Sequence, residues 1–288
     1  MKKLIMILLI AGWGHAFAQK TKPGYLEAKE HISKQFPVQK ASATVFALHN
    51  IWGNVKIEGY NGDKILIEID QTISARDAAE MDRAKKEFQL GFDIKPDSII
   101  AYTAEPYDTR PRHSRSGNNE SEKRYYTVRL DYVVKVPNNI NLNAGTVNDG
   151  YVDIKDVYGI LKVNNVNGAV SIANAKGTTT ARTINGNLTI NYLSIPTESS
   201  SYYTLNGKLE ATFPANLSAN VQFKSMNGGV YTDFEDTETL PTEVVKSQSK
   251  NNQGTTYKLN KASGVKVGKG GQVLKFETLN GNIYLKKA

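Results

Sequence analysis

Gly150, Gly159, Gly168, Gly177 and Gly186 stand nine residues apart along this chain. A fixed step held through five units marks a repeat architecture, in which one short supersecondary unit is stacked on itself. The units are 148–156 NDGYVDIKD, 157–165 VYGILKVNN, 166–174 VNGAVSIAN, 175–183 AKGTTTART and 184–192 INGNLTINY. Glycine holds the third place, and the fifth and seventh carry Val152/Ile154, Leu161/Val163, Val170/Ile172, Thr179/Ala181 and Leu188/Ile190. Residues two apart share one face of a strand, so each pair points inward and its polar neighbours point out. The first place is apolar in Val157, Val166, Ala175 and Ile184, which predicts a third core side chain ahead of each turn. The glycine then supplies either a positive φ or a close backbone approach at the bend.

The phrase apolar-Asn-Gly-x-apolar returns at Leu205–Leu209, Met226–Val230 and Leu279–Ile283, and an earlier copy without the Asn stands at Ile51–Ile57. Gly186, Gly207 and Gly228 are 21 apart, so the coil holds about 18 to 21 residues and two strands, one of them marked by Asn-Gly. Asn-Gly between strands is also the strongest signal for a type I′ hairpin, and a meander would use it repeatedly. The constant step and constant inward phase favour stacked parallel coils. Asparagines at the corner are then expected to form a ladder of side-chain amides along the stack. The fold class predicted is all-β, a single-stranded parallel β-helix or β-solenoid with one short flanking helix.

That helix is read over Ser74–Phe88, with Ser74 as N-cap and Asp77 three residues on. Residues 92–102 read as a hairpin around Pro96-Asp97-Ser98, and Tyr126–Val136 as a long alternating strand stopped by Pro137. Residues 1–18 read as a signal peptide, from Lys2 and Lys3 through the apolar run Leu4–Ile10 to Ala16-Phe17-Ala18. A polar leader follows over 19–42, then one solenoid domain over 43–288 with polar inserts at 105–124 and 235–264. The address predicted is export to the periplasm, the outer-membrane surface or the medium, with no transmembrane segment in the mature chain.

Cysteine is absent from the sequence, which removes disulfides, thiolate metal sites and a lipidated N-terminal cysteine. The net charge is +8, two of it from Lys2 and Lys3, and it is spread rather than gathered into a nucleic-acid motif. His31, His49 and His113 lie far apart with no second ligand at metal spacing. Asp149, Asp153 and Asp156 fall in one unit, whereas calcium-binding nonapeptide solenoids need an aspartate in every turn. Catalytic, cofactor-binding and metal residues are therefore all predicted as none. Tyr151, Tyr158, Tyr192, Tyr202 and Tyr203 offer a sugar-stacking surface as a minor reading, and Arg110, Arg112, Arg115, Lys123 and Arg124 offer a basic arm.

The recurring apolar-Asn-Gly phrase, the preceding strand ending in Lys135-Val136-Pro137 and the export signal resemble the putative-adhesin family of exported bacterial β-solenoid proteins, of Bacteroidetes type. The resemblance covers roughly 43–285, with its specific part at 136–232. It implies a non-enzymatic role at the envelope or surface and carries over no catalytic residue; the partner is left open, with an envelope glycan or a surface protein as the candidates. A carbohydrate-active enzyme on a β-helix scaffold is the alternative, and a structural or regulatory periplasmic protein a third reading.

Overall fold

A computed structural model describes residues 24–111, 123–251 and 254–288. The signal peptide read at 1–18 lies outside these residues, as does His113. Two sheets face each other across one core, and the chain alternates between them, one strand in each per coil. In the middle the coils are β8 (Asn141–Gly145) with β9 (Val152–Lys155), β10 (Leu161–Asn164) with β11 (Val170–Ala175), and β12 (Thr179–Asn185) with β13 (Leu188–Tyr192). Even-numbered strands here belong to one sheet and odd-numbered strands to the other, all parallel to their neighbours. The register stacks Val152, Val170 and Leu188 on one inner face, and Leu142, Leu161 and Thr179 on the other. Parallel strands in one sheet need a crossover, and here the opposite sheet provides it. Asn-Gly therefore marks a corner between sheets and not a hairpin.

The nine-residue beat resolves into two columns. A Cβ on Gly150, Gly168, Gly186 or Gly207 would lie 1.8 to 2.2 Å from the carbonyl oxygen of Gly53, Gly150, Gly168 or Gly186, respectively. Gly159 and Gly177 meet Ile140 and Gly159 in the same way at the opposite corner. Of the two roles expected for these glycines, close backbone approach is the one used. Within the Asn-Gly column only Gly53 and Gly281 have positive φ.

Coil order departs from chain order at both ends. β2 (Val45–His49) and β3 (Val55–Tyr60) form the coil beneath β8/β9, and β6 (Ser98–Glu105) with β7 (Tyr126–Pro137) forms the next one out. Thus β7 leads straight into β8 along the chain but does not stack on the repeats; it pairs with β3 and with β4 (Lys64–Ala75). At the far end β14 (Ser200–Asn206) and β15 (Leu209–Phe213) stack regularly. The next coil in sequence, β16 (Ala219–Asn227) and β17 (Val230–Thr232), then skips a position. β20 (Val273–Asn280) and β21 (Ile283–Lys287) fill the gap, pairing in parallel with β14 and β16 and with β15 and β17.

Antiparallel strands finish the sheets. β1 (Leu26–Pro37), inside the segment read as a polar leader, pairs along its whole length with β4. β5 (Gln89–Ile94) pairs with β6 as the expected hairpin. The insert read at 235–264 holds a long hairpin, β18 (Thr237–Asn251) and β19 (Gly254–Val267), and β19 joins β16. The one helix, α1, spans Ala78–Glu87. Its N-cap is Asp77, whose side chain accepts from the Glu80 N–H, and not Ser74, which belongs to β4.

The core changes character along the stack. Val, Ile and Leu fill it in the middle, while Tyr192, Tyr202, Phe213 and Phe276 fill it farther on, with ring pairs 4.8 and 4.7 Å apart. The 21-residue step coincides with these larger side chains, and the extra length lies in the corner between β13 and β14. Tyr192 and Tyr202 share a buried hydroxyl–hydroxyl hydrogen bond of 2.7 Å, so neither belongs to a surface for sugars. Val157 and Ala175 are core residues as expected, but Val166 and Ile184 are half-exposed on the outer side of the Asn-Gly corner.

Candidate ligand-binding site

Two ladders run along the Asn-Gly corner and account for its polar groups. On the outside, Asn167 donates to Asn148, Asn185 to Asn167, Asn206 to Asn185, Asn280 to Asn206 and Asn227 to Asn280, at 2.7 to 2.9 Å. This is the amide ladder the repeat predicts, and it passes without a break through the out-of-order coils. Inside, Thr146, Asn165, Thr183 and Thr204 donate to the carbonyls of Gly53, Gly150, Gly168 and Gly186 at 2.8 to 3.0 Å. A buried carbonyl without such a donor would cost about 1–3 kcal/mol. The alternation of the repeat does not predict these buried donors; their signal is a Thr or Asn three residues before Gly168, Gly186, Gly207 and Gly281. Both ladders are internally satisfied and leave little with which to grip a ligand.

Charged side chains concentrate near the α1 end. His31 places Nδ1 2.7 Å from Asp70 Oδ1 and Nε2 2.8 Å from Glu68 Oε2, while Ser33 Oγ donates to Glu68 at 2.8 Å. The hydrogen bond to Asp70, assisted by Glu68, raises the His31 pKa. Serine, histidine and carboxylate are the residue types of a hydrolase triad, but here the serine hydroxyl is bonded to a carboxylate and both imidazole nitrogens are occupied. A nucleophile needs its base within hydrogen-bond reach, and this imidazole has no free lone pair to offer. Burial lowers the His49 pKa, partly offset by Asp108. Among the described residues no group of three or more His, Asp or Glu could hold a metal ion.

Two of the arginines read as a basic arm are structural ties. Arg110 binds Asp108 and Asp93. Arg124 Nε donates to Glu87 at 2.8 Å, and Glu87 also accepts from Arg83 at 2.7 Å and from the Tyr126 hydroxyl at 2.7 Å. Arg124, then Arg83 and Tyr126, lower the Glu87 pKa to about 2; burial and then Glu87 raise that of Tyr126 to about 12. With Met81 and Ala84 packed on Ile73, Ala75 and Tyr126, this network fixes α1 across the ends of β4 and β7. The remaining tyrosines are dispersed: Tyr151 lies beneath Lys56, Tyr158 beneath Lys176 and Tyr203 beneath Arg182.

Fixing α1 leaves a cleft. Beyond the β6/β7 coil the two sheets end in β1 and β5, and the core between them opens to solvent. The cleft has a volume of about 680 Å³. Its apolar walls are Ile32, Ile73, Phe88, Leu90 and Phe92, and Phe36 and Phe92, with ring centroids 5.4 Å apart, bridge β1 to β5. Lys29, Lys34 and Lys85 line it with a single carboxylate, Glu30. Lys29 is 3.8 Å from Glu27, whereas Lys34 and Lys85 have no ion-pair partner among the described residues. Gln71 also lines the cleft; the residue is 7% exposed, and its amide, which has no hydrogen-bond partner among the described residues, reaches solvent. Water satisfies such an amide, and a ligand that displaces the water must replace its hydrogen bonds.

Residues 133–266 match the family model described as Toastrack DUF4097. The matched range begins within β7 and ends within β19, so it holds β8 to β18 and excludes β20 and β21. No curated protein matches the chain. Among solved structures, a putative cell adhesion protein from Clostridium sporogenes is 9% identical, with a TM-score of 0.45, over 91% of this chain and 100% of that one. A putative adhesin from Bacteroides fragilis is 9% identical, with a TM-score of 0.35, over 91% and 98%. A putative lipid binding protein from Parabacteroides distasonis is 11% identical, with a TM-score of 0.27, over 90% and 96%. No helix among the described residues is long and apolar enough to cross a membrane.

Proposed function

We propose that this protein is an exported, non-enzymatic binding protein of the cell envelope, adhesin-like in kind, and that it holds its partner in the cleft at the α1 end of the stack. The cleft carries this reading: apolar walls, two ammonium groups without an ion partner among the described residues and the Gln71 amide meet in one recess of about 680 Å³, a size suited to a ligand. The stack behind it acts as a rigid mount, since its corners are fixed by backbone contact and by two ladders.

The carbohydrate-active alternative needs a carboxyl group held protonated near neutral pH to act as general acid. The carboxylates with displaced pKa values among the described residues are all displaced downward. The Glu80 N–H does this to Asp77, Arg124 to Glu87 and Lys208 to Glu210. Each is better suited to staying ionised in an ion pair than to giving up a proton.

The test uses the chain from Gln19 onward, added to washed bacterial envelopes alongside an assay for newly formed reducing ends. Saturable retention without turnover is expected. Protease treatment of the envelopes, or competition by free glycan, then separates a surface protein from a glycan. Polysaccharide cleavage that is lost in Glu68→Gln or Asp70→Asn would replace this reading with the enzyme, and absence of retention would end it. Secretion with Gln19 as the new N-terminus, read by mass spectrometry, tests the export signal.

A further inference from the structure

We infer that the cleft between β1, β5 and α1 is a site for a single-chain anionic amphiphile, an acyl or alkyl chain ending in a carboxylate or phosphate. The inference rests on the binding role proposed above and names the ligand class. Three features of the cleft carry it, and they favour an amphiphile over a peptide or a sugar.

The walls come first. Ile32, Ile73, Phe88, Leu90 and Phe92 line the recess where the solenoid core reaches solvent, so an entering chain continues the packing of the core. Burying that surface is favourable at about 25 cal/mol per Å². Charge is the second feature. Lys34 and Lys85 lack ion partners among the described residues, and their aliphatic stems can extend the apolar wall while the ammonium groups stay at the rim. An anionic headgroup at that rim is opposite in charge to both, and Glu30 is the one lining carboxylate that repels it. The third is Gln71, a residue 7% exposed, whose amide lines the cleft without a partner among the described residues and can donate to a headgroup oxygen.

A sugar would bring many hydroxyls to walls that offer Gln71 as the single neutral hydrogen-bonding side chain. An extended peptide could pair with the open edge of β1, but its other edge would lose water against apolar walls, at a cost an alkyl chain does not incur. The inward-facing charges Glu30 and Lys34 on β1 also guard that edge against strand addition. Such guarding is their structural role. It accounts for neither the wall of five apolar side chains nor the placement of the Gln71 amide.

The experiment titrates the folded chain from Gln19 onward with hexadecanoate, monohexadecyl phosphate, hexadecanol and octanoate. Binding is read by displacement of a fluorescent fatty acid, and thermal unfolding is followed for every variant. Both sixteen-carbon anions are expected to bind, with hexadecanol and octanoate each at least about tenfold weaker. Lys34→Glu with Lys85→Glu should weaken the anions about tenfold or more while leaving hexadecanol and the unfolding midpoint unchanged. Glu30→Gln should tighten the anions severalfold, and Leu90→Arg should close the recess to all probes. Equal affinity for hexadecanol and hexadecanoate, or anion binding unchanged in the double lysine variant, overturns the inference. So does a concentration-dependent dimer that excludes the probe. Envelope retention that hexadecanoate does not compete leaves the binding role standing and removes this ligand. Amphiphile binding without envelope retention does the reverse.

Discussion

The middle of the stack and its ends are held together by different physics. From β8 to β13 the coils follow chain order and are fixed by neutral groups: glycine backbones in contact, amide on amide, hydroxyl on carbonyl. At the ends the order is interleaved and charge takes over. His31 with Glu68 and Asp70, Glu87 with Arg83 and Arg124, and Arg110 with Asp93 and Asp108 sit near α1, and Lys224–Glu277 and Lys266–Glu238 lie toward the hairpin. A repeated unit can be its own partner, so the middle needs only copies of one phrase. An end has no further copy to meet and must be finished by side chains particular to it.

The largest expected effect separates these regimes by deletion. Removing 166–183 takes out one middle coil and leaves Asn165 joined to Ile184-Asn185-Gly186, so β9 can meet β13 in the existing register. This variant should fold, with a lower melting temperature. Removing the similar length 273–288 takes out the coil between β14/β15 and β16/β17 and should abolish cooperative unfolding and soluble expression. Equal tolerance of both deletions would break the comparison.

Gly186→Val comes next. Its Cβ would lie 2.2 Å from the Gly168 oxygen, a backbone atom that cannot turn aside, and a loss of about 3 kcal/mol in denaturant unfolding is expected. Gly229→Ala should cost far less, because its nearest neighbour is the Tyr231 side chain at 2.7 Å. Thr183→Val leaves the Gly168 carbonyl without its 2.8 Å donor and should cost about 1–3 kcal/mol. Asn185→Ala breaks only the exposed ladder and should cost about 0.5–1.5 kcal/mol.

The smallest effect is local and depends on pH. Glu87 has its pKa lowered to about 2 from an ordinary 4.5, so its contribution is complete above about pH 4.5 and is lost as pH falls towards 2. Hydrogen exchange should show α1 opening across that window while β8–β13 stay protected, and Glu87→Gln should remove the pH dependence for about 1–2 kcal/mol of local stability. His31 has the opposite sign. Its raised pKa gives stability that is full below about 6.5 and is lost as pH rises through the raised value.

The pairs Val152/Ile154, Val170/Ile172 and Leu188/Ile190 announced the stacked strands because alternation and period agree at those positions. The Asn ladder was legible for the same reason. Coil order was not: Leu279-Asn280-Gly281 and Met226-Asn227-Gly228 carry the same phrase, and either can lie on Leu205-Asn206-Gly207. The buried hydroxyls escaped because Thr183 and Thr204 count as polar until a carbonyl is placed against them. The cleft was hidden in a different way. Ile32, Ile73 and Leu90 are brought together by β1, by β4 and by β5 with the end of α1, and no short window of sequence holds all three.

The interleaved coil also bears on biosynthesis. β16 and β17 are made some forty residues before β20 and β21, the strands that must lie between them and β14/β15. A ribosome delivers the chain in one direction, so the early coil must wait for the strands that lie beneath it in the finished stack. The far end of the stack therefore cannot zip up behind the ribosome as the middle can. Its final order can form only once the later strands arrive.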